Sequence, residues 1–152
     1  MIPVEWIAEA SQRISGIAIT TPLTYDASLD VFLKWENRQI TNSFKLRGAL
    51  NKILALADWE RAQGLVAASA GNHGLGVTLA ARECDAKAIV FASEHAVPAK
   101  LQKMRDLGAD IRLVEGGYAL AEATGIRYAN DHSMTWVSPY NDGLVIAGQG
   151  TV

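Results

Sequence analysis

Short apolar runs alternate with stretches of helical period along this chain. Val31, Phe32, Leu33 and Trp35 form a β-branched and aromatic run that predicts a strand over 31–35. Leu46, Leu50, Ile53, Leu54 and Ala57 then recur at spacings of three and four. That period builds one apolar face and predicts a helix over 43–57. Thr41, Asn42 and Ser43 each offer an N-cap for it. Further on, 65–68, 88–91, 111–114 and 134–137 are short apolar runs that read as strands. Between them, 74–82, 98–107 and 118–128 read as helices. Pro98 suits a first helical turn, and Gly108 stands where a helix C-terminus favours glycine. Strands alternating with helices of this length predict βαβ units with right-handed crossovers. The strands read as continuous apolar runs, which suits a mostly parallel sheet covered by helices on both faces, a three-layer α/β sandwich.

Composition narrows the function classes. The chain has 152 residues and 49% of them are hydrophobic, enough for a real core. Fourteen basic against 16 acidic residues leave a net charge of −2, so no basic field speaks for nucleic acid. Cys84 is the single cysteine, which excludes an internal disulfide and fits a reducing, cytoplasmic setting. The first ten residues lack a basic n-region and carry Glu5 and Glu9, unlike a secretory signal. The uncharged run over 64–81 is near membrane length, but Asn72, His73 and four glycines argue against a span. His73, His95 and His132 are scattered, and with one cysteine they suggest no metal site. No fixed-period repeat, low-complexity stretch or long linker interrupts the pattern.

Three segments carry candidate chemistry. Lys45 opens an apolar helix, where the positive end of the helix field disfavours a cation and favours a free amine. A free amine is what Schiff-base chemistry needs. On the pattern alone, a solvated surface lysine is the better reading. Ser69, Ala70, Gly71, Asn72, His73 and Gly74 lie between a strand and a helix. Such a small-residue loop aims backbone N–H groups outward and suits a carboxylate or phosphate, though it also reads as a plain tight turn. Its glycine spacing fits neither a phosphate-binding loop of the Walker kind nor a dinucleotide fingerprint. Turn residues at 138–142 precede the third segment, 147–152, which by itself reads as a flexible terminus. Glu36, Asp58, Glu60, Glu115 and Glu122 show no pairing that their spacing singles out.

Taken in order, five motifs resemble the fold-type II pyridoxal-phosphate enzymes of the threonine/serine dehydratase (ammonia-lyase) group. They run from Thr21 to Leu23, Lys34 to Gln39, Ser43 to Ala49, Ser69 to His73 and Ala147 to Thr151. The resemblance implies a tryptophan synthase β-like architecture with pyridoxal phosphate as cofactor. Lys45 would be its Schiff-base lysine, Phe44 would lie against the cofactor and Asn72 would bond its 3′ oxygen. Ser69, Ala70, Gly71, Asn72 and His73 would bind the substrate carboxylate. The implied reaction is dehydration and deamination of serine or threonine to a 2-oxo acid and ammonia. Related serine racemases carry a serine where this chain has Ala70, and a methyl group cannot move a proton, so elimination is favoured over racemisation. The family often has glycine where this chain has Asn42, a residue that also tolerates left-handed backbone.

A full member of that family is about twice as long. The resemblance places 1–57 in a large cofactor domain, 58–140 in an inserted small domain, and 141–152 at the return into the large one. The remainder, absent here, would supply the glycine-rich phosphate cradle and the partner of the pyridine nitrogen. Cofactor binding is therefore expected to be weak. The helix of Lys45 is expected to lose part of its cover, leaving an apolar face for self-association or for a missing C-terminal segment. Two other readings stand beside the lyase: a non-catalytic module that binds a partner chain, and a racemase or β-replacing enzyme of the same fold.

Overall fold

A computed structural model describes residues 2–152; Met1 lies outside them. Four parallel strands form the central sheet: β3 (Leu65–Ala68), β4 (Ala88–Ser93), β5 (Asp110–Val114) and β6 (Thr135–Trp136), in the order β5-β4-β3-β6. A separate antiparallel hairpin pairs β1 (Leu23–Asp26) with β2 (Val31–Lys34). The helices are α1 (Val4–Arg13), α2 (Lys45–Leu54), α3 (Asp58–Gln63), α4 (Asn72–Glu83), α5 (Pro98–Asp106), α6 (Tyr118–Asp131) and α7 (Gly143–Gln149).

Side chains alternate across β3 and separate two cores. Leu65 and Ala67 face α2 and α4, where Leu46, Leu50, Ile53, Val77 and Ala80 pack with them. Val66 and Ala68 face the other way, with Phe91 and with Ala121 and Ala129 of α6. A third cluster seats Leu101 and Met104 of α5 on Val90 and Ala92. Both faces of the sheet are thus covered, as its continuous apolar runs require.

The expected elements are present, with shifted ends. The helix expected over 43–57 runs from Lys45 to Leu54 because the chain breaks at Ala55 and restarts as α3. In α3 the Glu60 carboxylate accepts the Ala57 N–H at 2.8 Å, closing a short first turn that the longer period had absorbed. Gly108, at φ 98°, ends α5 as expected. Asn42 sits at φ 56°, so the turn before α2 uses the left-handed backbone that asparagine tolerates.

Two expectations are corrected. The 147–152 segment is not a flexible terminus: most of it belongs to α7 and its end, with Val145, Ala147 and Gly148 buried. Nor does α2 show an uncovered apolar face. Leu46, Ala49, Leu50 and Ile53 are all fully buried, because α4 and α7 close over them within this chain. Besides α7 and a one-turn 3-10 helix at Glu36–Arg38, three elements were not foreseen. They are α1, whose only fully buried side chain is Ala10; β1, which is almost wholly exposed; and the six-residue α3.

Candidate active site

Lys45 owes its position to two close helix crossings. A Cβ added to Gly76 of α4 would stand 3.1 Å from the Lys45 carbonyl oxygen. On the other side, a Cβ on Gly148 of α7 would stand 2.6 Å from the Arg47 carbonyl oxygen. Only glycine lets three backbones approach this closely. The first turn of α2 is therefore fixed from both sides. Ser43 adds a hydroxyl that accepts the Lys45 N–H at 3.2 Å.

The Lys45 side chain is half-buried, and its ammonium donates to the Pro139 carbonyl at 2.9 Å. It also lies 5.3 Å from the centre of the Phe44 ring, which is partly exposed beside it. No carboxylate pairs with it among the described residues. Two residues back along the same stretch, the Val137 carbonyl accepts from His73 Nε2 at 2.9 Å. Burial pushes the His73 pKa down to about 4; the hydrogen bond to Val137 opposes this and the Lys45 charge adds to it. The histidine is thus neutral near pH 7, with Nε2 protonated and the buried Nδ1 without a partner.

The loop after β3 leaves backbone donors open at the head of α4. The Ser69 hydroxyl accepts the Gly71 N–H at 3.1 Å, which tightens the turn. No side chain caps α4, so its leading N–H groups remain free. A Cβ on Gly71 would meet nothing within 4 Å, so the space beside the loop is open. Asn72 is exposed at the head of α4, Ala70 is half-buried and Ser69 is buried. The structure therefore links Lys45, Phe44 and His73 around the 137–139 stretch, while Ser69, Ala70, Gly71 and Asn72 form the turn from which His73 projects. Among the described residues, no group of three or more His, Cys, Asp or Glu gathers as for a metal.

Sequence reasoning missed the polar frame behind Lys45. Arg47 makes a two-pronged pair with Glu36, Nε to Oε2 at 2.8 Å and Nη2 to Oε1 at 2.7 Å. The Thr21 hydroxyl donates to the same carboxylate at 2.5 Å. Arg47 also reaches the Ile19 carbonyl at 3.2 Å and Thr151 Oγ1 at 3.4 Å. Burial pushes Glu36 up, but the bonds from Arg47 and Thr21, with the charges of Arg47 and Lys34, outweigh it and hold the carboxyl below its ordinary range. Thr21, Glu36, Arg47 and Thr151 all fall within the five motifs, so their order carried the signal although their pairing did not.

The pyridoxal-phosphate-dependent enzyme family matches residues 14–152. The chain belongs to that family. An L-threonine ammonia-lyase of Thermotoga maritima is 40% identical over all of this chain, which spans 39% of that relative. The processed form of threonine deaminase isoform 2 from Solanum lycopersicum superposes with a TM-score of 0.91 at 29% identity, over 97% of this chain and 45% of that one. A maize serine racemase does so at 0.92 and 30% identity, over 97% and 47%. The chain thus spans less than half the length of these relatives. It shares their fold-type II architecture, in which the family's cofactor is pyridoxal phosphate. Among the described residues no helix is long and apolar enough to cross a membrane.

Proposed function

We propose that this chain is the lysine-bearing part of a pyridoxal-phosphate lyase that converts L-threonine or L-serine to a 2-oxo acid and ammonia. The observation that carries this is a half-buried lysine with no acid partner, parked on the Pro139 carbonyl beside Phe44. Lys45 would hold the cofactor covalently, Phe44 would lie along it and Asn72 would bond its 3′ oxygen. The uncapped head of α4, with Ser69, Ala70, Gly71, Asn72 and His73, would receive the substrate carboxylate. Pyridoxal phosphate, when bound, supplies the sink for the charge left at Cα. Lys45 Nζ would take the Cα proton, the β-hydroxyl would leave as water, and a water molecule would then hydrolyse the released enamine to a 2-oxo acid and ammonia. Ala70 presents a methyl group where a proton donor for the opposite face would stand, which favours elimination over racemisation.

In this reading 1–57 and 141–152 belong to a large domain and 58–140 to an inserted small one. The described residues offer one anion loop and one lysine, so by themselves they hold the cofactor weakly, and the rest of the relatives' length would complete the grip. The single cysteine, Cys84, is a free thiol, which supports a reducing, cytoplasmic setting.

Borohydride reduction with pyridoxal phosphate, followed by peptide mapping, tests the assignment. The expected result is a pyridoxyl group on Lys45, lost in Lys45→Ala. A label spread evenly over Lys34, Lys52, Lys87, Lys100 and Lys103 overturns it. Release of 2-oxobutanoate or pyruvate from threonine or serine, dependent on Lys45, tests the reaction.

A further inference from the structure

Val137 and Pro139 sit two residues apart in the segment that follows β6, and the carbonyls of both accept from side chains of the site. One receives the His73 ring at 2.9 Å and the other the Lys45 ammonium at 2.9 Å. The stretch is anchored beneath: the Val137 N–H donates to the Val66 carbonyl of β3 at 2.8 Å. Val137 is fully buried, and His73 is only 5% exposed.

A carbonyl can only accept, so His73 Nε2 carries the proton and Nδ1 keeps a bare lone pair. That lone pair has no partner. A ring whose one proton is spent on Val137 cannot also donate to a carboxylate, and its bare nitrogen repels one. With the ring proton committed to Val137, the backbone N–H of His73 is the donor it has left to offer a carboxylate.

We infer that His73 is a positioning residue, whose Nε2–H pins the 137–139 stretch so that the Pro139 carbonyl parks the Lys45 amine at the head of α2. This rests on the reading of Lys45 as the cofactor lysine. The ring also brings no positive charge against the lysine, since its burial keeps it neutral near pH 7.

Acetic anhydride labelling, read lysine by lysine, tests the inference without any cofactor. In His73→Leu the ring's N–H is gone, and Lys45 should acetylate roughly fivefold faster, the scale of one lost hydrogen bond. The other lysines should be unchanged. His73→Gln offers an amide N–H at the reach of Nε2 and should return Lys45 to within about twofold of the unsubstituted chain. Equal Lys45 rates in all three proteins, or a Gln variant that follows the Leu variant, overturn the proposal. Nitrogen NMR of the unsubstituted chain gives an answer even if His73→Leu does not fold: the Nε2–H tautomer is expected at pH 7, and the Nδ1–H tautomer overturns it. Failure of the pyridoxyl label on Lys45 would refute the cofactor assignment alone, because neither of these readouts depends on pyridoxal phosphate.

Discussion

Gly148 packs against Gly48 so closely that a Cβ added to it would stand 2.7 Å from the Gly48 Cα. The contact is between backbones, which cannot rotate away. A methyl group there must push α7 off α2, and α2 carries Lys45. Gly148→Ala should therefore cost about 1–3 kcal/mol or more, the range for overpacked cores. Gly117→Ala is the control, since its φ of −89° suits alanine and nothing lies within 4 Å of the added Cβ. Thermal unfolding should show a clear drop for the first and a smaller one for the second, where alanine only weakens the N-cap of α6. Equal midpoints would mean that the helix crossing is slack.

Arg47 and Glu36 are the other fixed link of this frame, with side chains only 7% and 11% exposed. Removing one partner leaves the other charge buried and alone. Glu36→Ala should destabilise by about 3–5 kcal/mol, as should Arg47→Ala. The double variant should lose less than the two single losses together, which a double-mutant cycle in urea would show. The Glu36 carboxyl has a lowered pKa in the fold, so its contribution is present above the ordinary carboxylate range and fades as the pH falls below it.

The sheet and its helices were legible because each had a period to read. Leu46, Leu50 and Ile53 mark α2, and the apolar runs 65–68 and 88–91 mark β3 and β4. β1 was not legible: Leu23 and Tyr25 are exposed and pair only with β2, so no buried face patterned the strand. The helix α7 was hidden by its own small residues, which look like a flexible end until Gly148 is placed against α2. Lys45 and the 69–73 loop stood out in the sequence through the order and spacing of the motifs that hold them. Their partners did not, since Val137 and Pro139 act through backbone carbonyls that every residue carries. Glu36 and Arg47 lie eleven residues apart across a turn, and no periodicity brings that pair together.

Asp142 caps α7 and ties it to α2. Its carboxylate accepts the N–H groups of Leu144 at 2.8 Å and Val145 at 3.1 Å, and it pairs with Lys52 at 2.9 Å. Asp142→Ala loses both roles and should cost about 1–2 kcal/mol, mostly as a lost helix cap. Asp142→Asn keeps the cap and loses only the charge, so it should cost less. Urea unfolding of the pair separates the two contributions. An Asn variant as weak as the Ala variant would assign the effect to Lys52 instead.

His73 gives the fold a second acid response, distinct from that of Glu36. Its pKa falls from 6.5 to about 4 on folding because burial disfavours the charged ring. The unfolded chain therefore binds a proton that the folded chain refuses. Stability from this group is complete above about pH 6.5 and declines as the pH drops toward 4, by about 3 kcal/mol in all. Below pH 4 the loss levels off, because the folded ring then protonates too. Urea midpoints at intervals from pH 7 to pH 4 should trace this fall in the unsubstituted chain. His73→Gln has nothing to titrate there and should be nearly flat from pH 7 to pH 5. A fall of equal size in both proteins would place the titrating group elsewhere.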